Sequence, residues 1–201
     1  SGVYDCDADI VNGTWAIGAN TRIVKNQTCR IINISSGVTL TVDSNASNVT
    51  VRIEAVNITV TSGANINSSL LGYGPRPIGG LPGFGPGGGG GGATGIGTGA
   101  GSYGGYGATN GSANAILRAY GSISNPRDLG SAGGSPETGC TKPGMSGGGA
   151  IFINATGTFN NSGTVEANGG NGALDNCVKG SGSGGSILVH ATTLKGTGVF
   201  Q

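Results

Sequence analysis

The residues in this chain best suited to chemistry are asparagines. Asn-x-Ser/Thr, the acceptor pattern for N-linked sugar, occurs at Asn12, Asn26, Asn33, Asn45, Asn48, Asn57, Asn67, Asn110, Asn154 and Asn160. Ten such sites stand where the chain's own Asn, Ser and Thr content would give about three by chance. Sugar is added to asparagine on the extracellular route, so the excess predicts a secreted glycoprotein at or beyond the cell surface. The bland alternative is a β-protein rich in Asn and Thr, but the chance figure already includes that richness. Cysteine usage agrees: Cys6, Cys29, Cys140 and Cys177 are even in number, as expected in an oxidising compartment. Pairs Cys6–Cys29 and Cys140–Cys177 are expected, each worth roughly 3 kcal/mol through loop closure. Two other connectivities remain open to four cysteines.

Other groups offer less. Asp5, Asp7 and Asp9 alternate onto one strand face, a start toward a calcium clamp. The glycine and distal glutamate of such a loop are missing, with Ala16 at its twelfth position. Solvated edge charges are the expected reading. His190 is the only histidine, turned outward between Val189 and Ala191, with no Ser or Cys in a nucleophile context. Glu54 and Glu166 fall on different rungs, so they do not form the facing acid pair of a glycosidase. No close Cys or His pairs could hold zinc. The glycine spacings in 87–107 lack the Gly-Lys-Ser/Thr of a phosphate cradle. No catalytic residue, cofactor or metal site is expected, and no enzyme.

The formal net charge is +1 and only 9% of residues are charged. The ten basic residues are scattered, which excludes a nucleic-acid footprint. No apolar run approaches the roughly 20 residues that span a bilayer.

The positions bearing these groups are short β-branched runs separated by Asn, Gly and Ser: Trp15–Ile17, Arg22–Val24, Arg30–Ile34, Val38–Val42, Val49–Ile53 and Ile58–Val60. Ile151, Ile153 and Ala155 recur at Ile187, Val189 and Ala191, and Val165 recurs at Val199. A third copy begins at Val51. Ile32 and Ile34 align with Ile53 and Ala55 at the length of one compact coil. Between them, residues 72–149 hold 29 glycines in 78 positions, all seven prolines and four of the five tyrosines. Repeats that cannot bury their own apolar face must stack. The expected fold is therefore all-β: one β-solenoid or parallel β-helix domain over 1–201, with N-terminal strands in 1–71, an inserted Gly-rich layer in 72–149 and repeat coils in 150–201.

The order SGVTLTV, VTVRIEAVNITVTSGANINSSLLGYG, PGFGPGGGGGG, SGGGAIFINATGTFNNSGTVEANGG and GSGSGGSILVHATTLKGTG resembles the glycine-rich β-strand-repeat surface proteins of prokaryotes, over residues 37–201. The composition is similar to archaeal extracellular filament glycoproteins. The resemblance implies a β-helix with a structural or adhesive role and no catalytic motif. The expected function is a glycosylated subunit of a filament, sheath or surface layer. Copies would join head to tail through open solenoid ends, with residues 1–11 or Gly198–Gln201 as candidate donated strands. The alternative is an adhesin or glycan-binding module using Trp15, Tyr73, Tyr103, Tyr106 and Tyr120. A polysaccharide-degrading β-helix enzyme is a third, weaker reading. The partners expected are copies of the chain, N-linked glycans and surface polysaccharide.

Overall fold

The structure, a computed structural model, describes residues 13–47, 50–92, 97–108, 118–172 and 178–201. The chain divides into two compact units. The first takes Ser1–Asn67, Ile151–Glu166 and Ile187–Gln201; the second takes Ser68–Ala150 and Ala167–Ser186.

The strands, in chain order, are β1 (Thr14–Ile17), β2 (Thr21–Ile23), β3 (Gln27–Thr28), β4 (Ile31–Ile34), β5 (Thr39–Val42), β6 (Arg52–Ala55), β7 (Asn57–Val60), β8 (Asn65–Asn67), β9 (Ala150–Asn161), β10 (Thr164–Glu166), β11 (Ser186–Lys195) and β12 (Val199–Phe200). One short helix, α1 (Ser44–Ser47), follows β5. Asp43 caps it: its Oδ1 accepts the Ala46 N–H at 2.9 Å, and its other oxygen pairs with Arg22.

A seven-stranded sheet runs β1-β4-β7-β9-β6-β3, with β11 also on β9. A five-stranded sheet runs β12-β10-β8-β5-β2. Period-two alternation fills the space inside them: β4 and β5 bury every second residue. Ile32, Ile34, Leu40, Ile53, Ile58, Ile66, Ile153, Phe159 and Val165 are fully buried in one cluster. Each large side chain so buried stabilises by about 2 kcal/mol.

The expected all-β solenoid, or parallel β-helix with an inserted Gly-rich layer, is corrected by this arrangement. Strand accounts for 33% of the described residues, and the two mixed sheets form a half-barrel rather than a stack of equal coils. A solenoid repeats a coil of nearly constant length. Here the successive partners Trp15, Ile32, Ile58 and Phe159 lie 17, 26 and 101 residues apart. The compact coil that set Ile32 beside Ile53 does not form. Ile32 pairs with Ile58, while Ile53 pairs with Ile153. β9 takes β6 along its first half and β7 along its second. Val165 sits opposite Phe200, one residue beyond the Val199 that the repeat alignment matched to it. Gly196, in the turn before β12, adopts φ +97°.

The second unit contains no long strand among its described residues. Its backbone groups bond across between glycine-rich segments: Gly72 N–H to Gly147 O at 2.8 Å, Gly147 N–H to Tyr73 O at 3.0 Å and Gly134 N–H to Gly99 O at 2.9 Å. Glycine is required by the closeness of these approaches. A Cβ at Gly134 would overlap the Gly90 carbonyl, and one at Gly147 the Gly130 carbonyl.

Candidate functional site

Of the described sequon asparagines, Asn33, Asn57, Asn67, Asn154 and Asn160 lie on strands of the first unit, Asn26 just precedes β3 and Asn45 lies in α1. Asn26, Asn45 and Asn57 are exposed, and Asn33, Asn67, Asn154 and Asn160 are half-buried. Alternation turns Asn33 outward between buried Ile32 and Ile34. The register sets Asn33 beside Thr59 and Thr59 beside Asn160, so Asn33 and Asn160 share one outward column, roughly 10 Å apart at two strand spacings. Asn12, Asn48 and Asn110 lie outside the described residues. All seven described sequons belong to the first unit.

Several of these side chains also hold the structure together. Asn26 Oδ1 accepts the Arg52 N–H at 2.9 Å, and Asn57 Oδ1 accepts the Thr158 N–H at 3.0 Å. Asn154 Nδ2 donates to Glu54 Oε1 at 2.9 Å. Where Oδ1 is the group engaged, Nδ2, the atom that carries sugar, remains available.

Cys29 is buried, and both Cys29 and Cys140 are disulfide-bonded. Cys6 and Cys177 lie outside the described residues, as do Asp5, Asp7 and Asp9.

Sequence reasoning missed a cluster on the outward face of the seven-stranded sheet. Arg52 and Phe152 are register partners, and the guanidinium lies 4.6 Å from the ring centre. The exposed His190 meets the same ring edge-on at 5.3 Å. Glu54, beside them, accepts from Arg52 at 3.0 Å and Asn154 at 2.9 Å, with Thr28 at 3.5 Å. A carboxylate so fully engaged serves as a clasp and is poorly placed to move protons. The alternation that made Glu54 and His190 outward was legible; the ring between them was not, because β6 and β9 are about a hundred residues apart. Among the described residues, no group of three His, Cys, Asp or Glu is arranged to hold a metal ion, and no helix is long and apolar enough to cross a membrane.

Two surfaces remain with unsatisfied apolar area. The first lies on the outer strands. Ile187, Val189 and Ala191 of β11 point to the core but are only partly buried. Leu194 is 60% exposed, Val199 52% and Phe200 43%. The Phe200 ring lies 6.3 Å from that of Phe159. The outer strands at the opposite side differ, with Trp15, Ile17 and Ile23 all buried. That burial removes Trp15 from any stacking role. The second surface is a cleft in the second unit that includes Tyr103 and Tyr120; burial raises both phenols above their ordinary pKa.

No protein-family model, curated protein or solved structure matches the chain.

Proposed function

We propose that this chain is a structural, non-catalytic subunit of an extracellular glycosylated filament, sheath or surface layer, with copies joining through β11 and β12. The carrying observation is the apolar strip on these outer strands, with Leu194, Val199 and Phe200 in water beside half-covered Ile187 and Val189. Monomeric proteins usually blunt such strands with charge or a covering loop. A strand from a second copy would pair with β12 and cover the strip in one step. The opposite side hides its apolar residues, so the contact would join unlike surfaces. Contacts of that kind do not close on themselves and generate open filaments. The sequon density and the disulfide-bonded Cys29 and Cys140 support an extracellular setting. The resemblance to prokaryotic glycine-rich surface proteins points the same way.

The test is assembly of the mature protein at micromolar concentration, followed by sedimentation and electron microscopy. Wild type should form large species, and Val199→Asp with Phe200→Asp should stay small while remaining folded. A wild type that stays monomeric without fibres, or a double variant that assembles equally well, overturns the reading. Intact mass before and after deglycosylation checks the sugar coat.

A further inference from the structure

We propose that the tyrosine cleft of the second unit binds a neutral saccharide. This does not rest on assembly through β11 and β12. The cleft measures about 390 Å³, within the range of small-ligand sites, and includes Tyr103, Tyr120, Gly121, Ser122, Ile123 and Pro126. Its lining carries no charge.

The floor is rigid. The two tyrosine rings meet edge to face, with centres 5.1 Å apart. The Tyr120 hydroxyl donates to the Leu129 carbonyl and accepts from the Ser131 hydroxyl at 2.8 Å, so its ring cannot swing out. The Tyr120 N–H donates to the Tyr103 carbonyl at 2.9 Å. Gly121 adopts φ +91°, and a Cβ there would lie 2.7 Å from the Tyr103 ring. Any side chain at 121 would therefore displace the floor.

The wall is also ordered. The Ser122 hydroxyl accepts the Asn125 N–H at 3.1 Å and lies 3.4 Å from the Ser124 hydroxyl. Arg127 Nε donates to Asn125 Oδ1 at 2.7 Å. On this ordered loop Ile123 stands fully exposed. A large aliphatic side chain held in water beside two tyrosines and a proline offers an apolar lip with hydroxyls next to it.

A sugar ring matches that arrangement. It has an aliphatic C–H face for the aromatic and Ile123 surfaces, and a hydroxyl edge for Ser122. A charged ligand would find no counter-charge in the lining. None of the described sequons lies in this unit. The saccharide has two candidate sources, the N-glycans of another copy or a foreign polysaccharide.

Full-length protein should be titrated by saturation-transfer NMR and tyrosine fluorescence against two probes: N-glycans released from this protein, and neutral hexose oligosaccharides. Saturable binding is expected with at least one probe, unchanged at about 0.5 M salt because no ion pair is involved. Ile123→Asp, at a site without packing, should melt like wild type and weaken binding about tenfold. Gly121→Ala should abolish it. Binding to the first probe alone assigns the coat of a neighbouring copy; binding to the second assigns foreign glycan. Absence of saturation with both probes, binding lost in salt, or undiminished binding by Ile123→Asp overturns the proposal.

Discussion

In the first unit a buried Ile, Val or Phe stands at nearly every second strand position; in the second, glycines stand where a neighbouring carbonyl leaves no room for a Cβ. The first is held by side chains excluded from water. The second is held by backbone groups close enough to bond across segments. The two should fail under opposite changes, the first when atoms are removed and the second when atoms are added. Among the described residues the sequons follow the same division, since strands have outward-facing positions to spare and a layer of touching backbones has few.

The largest expected effect tests the first half of that contrast. Phe159 is fully buried between the sheets, and Phe159→Ala should cost about 3–5 kcal/mol. Urea unfolding monitored by circular dichroism measures it. The second half is tested by Gly134→Ala. One methyl forced against the Gly90 carbonyl should cost about 1–3 kcal/mol, seen as faster hydrogen exchange in residues 72–149 and not in β4 or β5. If Gly134→Ala is neutral, the second unit is looser than its hydrogen bonds imply.

A third test uses pH. Burial raises the Tyr120 phenol well above its ordinary value and raises Tyr103 less, so both bind protons more tightly folded than unfolded. Below pH about 10 both states are neutral and this contribution is fully present. Above it the unfolded chain ionises first and stability falls as pH rises. The unfolding midpoint should therefore drop above pH about 10, and Tyr120→Phe should flatten that slope. An unchanged slope in the variant would place the alkaline sensitivity elsewhere.

Part of this was legible in the chain. Alternation at Ile32–Asn33–Ile34 and Thr39–Leu40–Thr41–Val42 correctly turned Asn33 and Thr39 outward, because a strand has a fixed period of two. The repeat match of Ile153 and Ala155 to the segment at Ile53 and Ala55 corresponds to an observed pairing. Which strand neighbours which was less legible. β3, two residues long, left no pattern, and the register of Ile32 was misplaced because the intervening turns differ in length. A solenoid inferred from stacked repeats gave way to two unequal sheets for that reason. Tyr103 and Tyr120 of the cleft stood among the aromatics that the sequence offered for glycan stacking, but their pairing was not legible, because the floor depends on Gly121 at positive φ, one glycine among many in that stretch.

The smallest expected effect bears on why the sequons cluster in the sheets. Asn57 begins β7, and its Oδ1 accepts the Thr158 N–H where β9 passes from β6 to β7. It thus supplies a side-chain acceptor between the two ladders, so an asparagine here has a structural reason to exist apart from sugar. Three substitutions separate the roles. Thr59→Val destroys the sequon and keeps Asn57. Asn57→Asp destroys the sequon and keeps the acceptor. Asn57→Ala removes both and should cost about 1 kcal/mol more than Asn57→Asp. Intact mass should fall by one glycan in all three, while melting should separate only Asn57→Ala. Equal melting of the alanine and aspartate variants would leave sugar as the sole reason for Asn57. An unchanged mass in Thr59→Val would leave structure as the sole reason, and would weaken the view that the sheets are where this protein carries its coat.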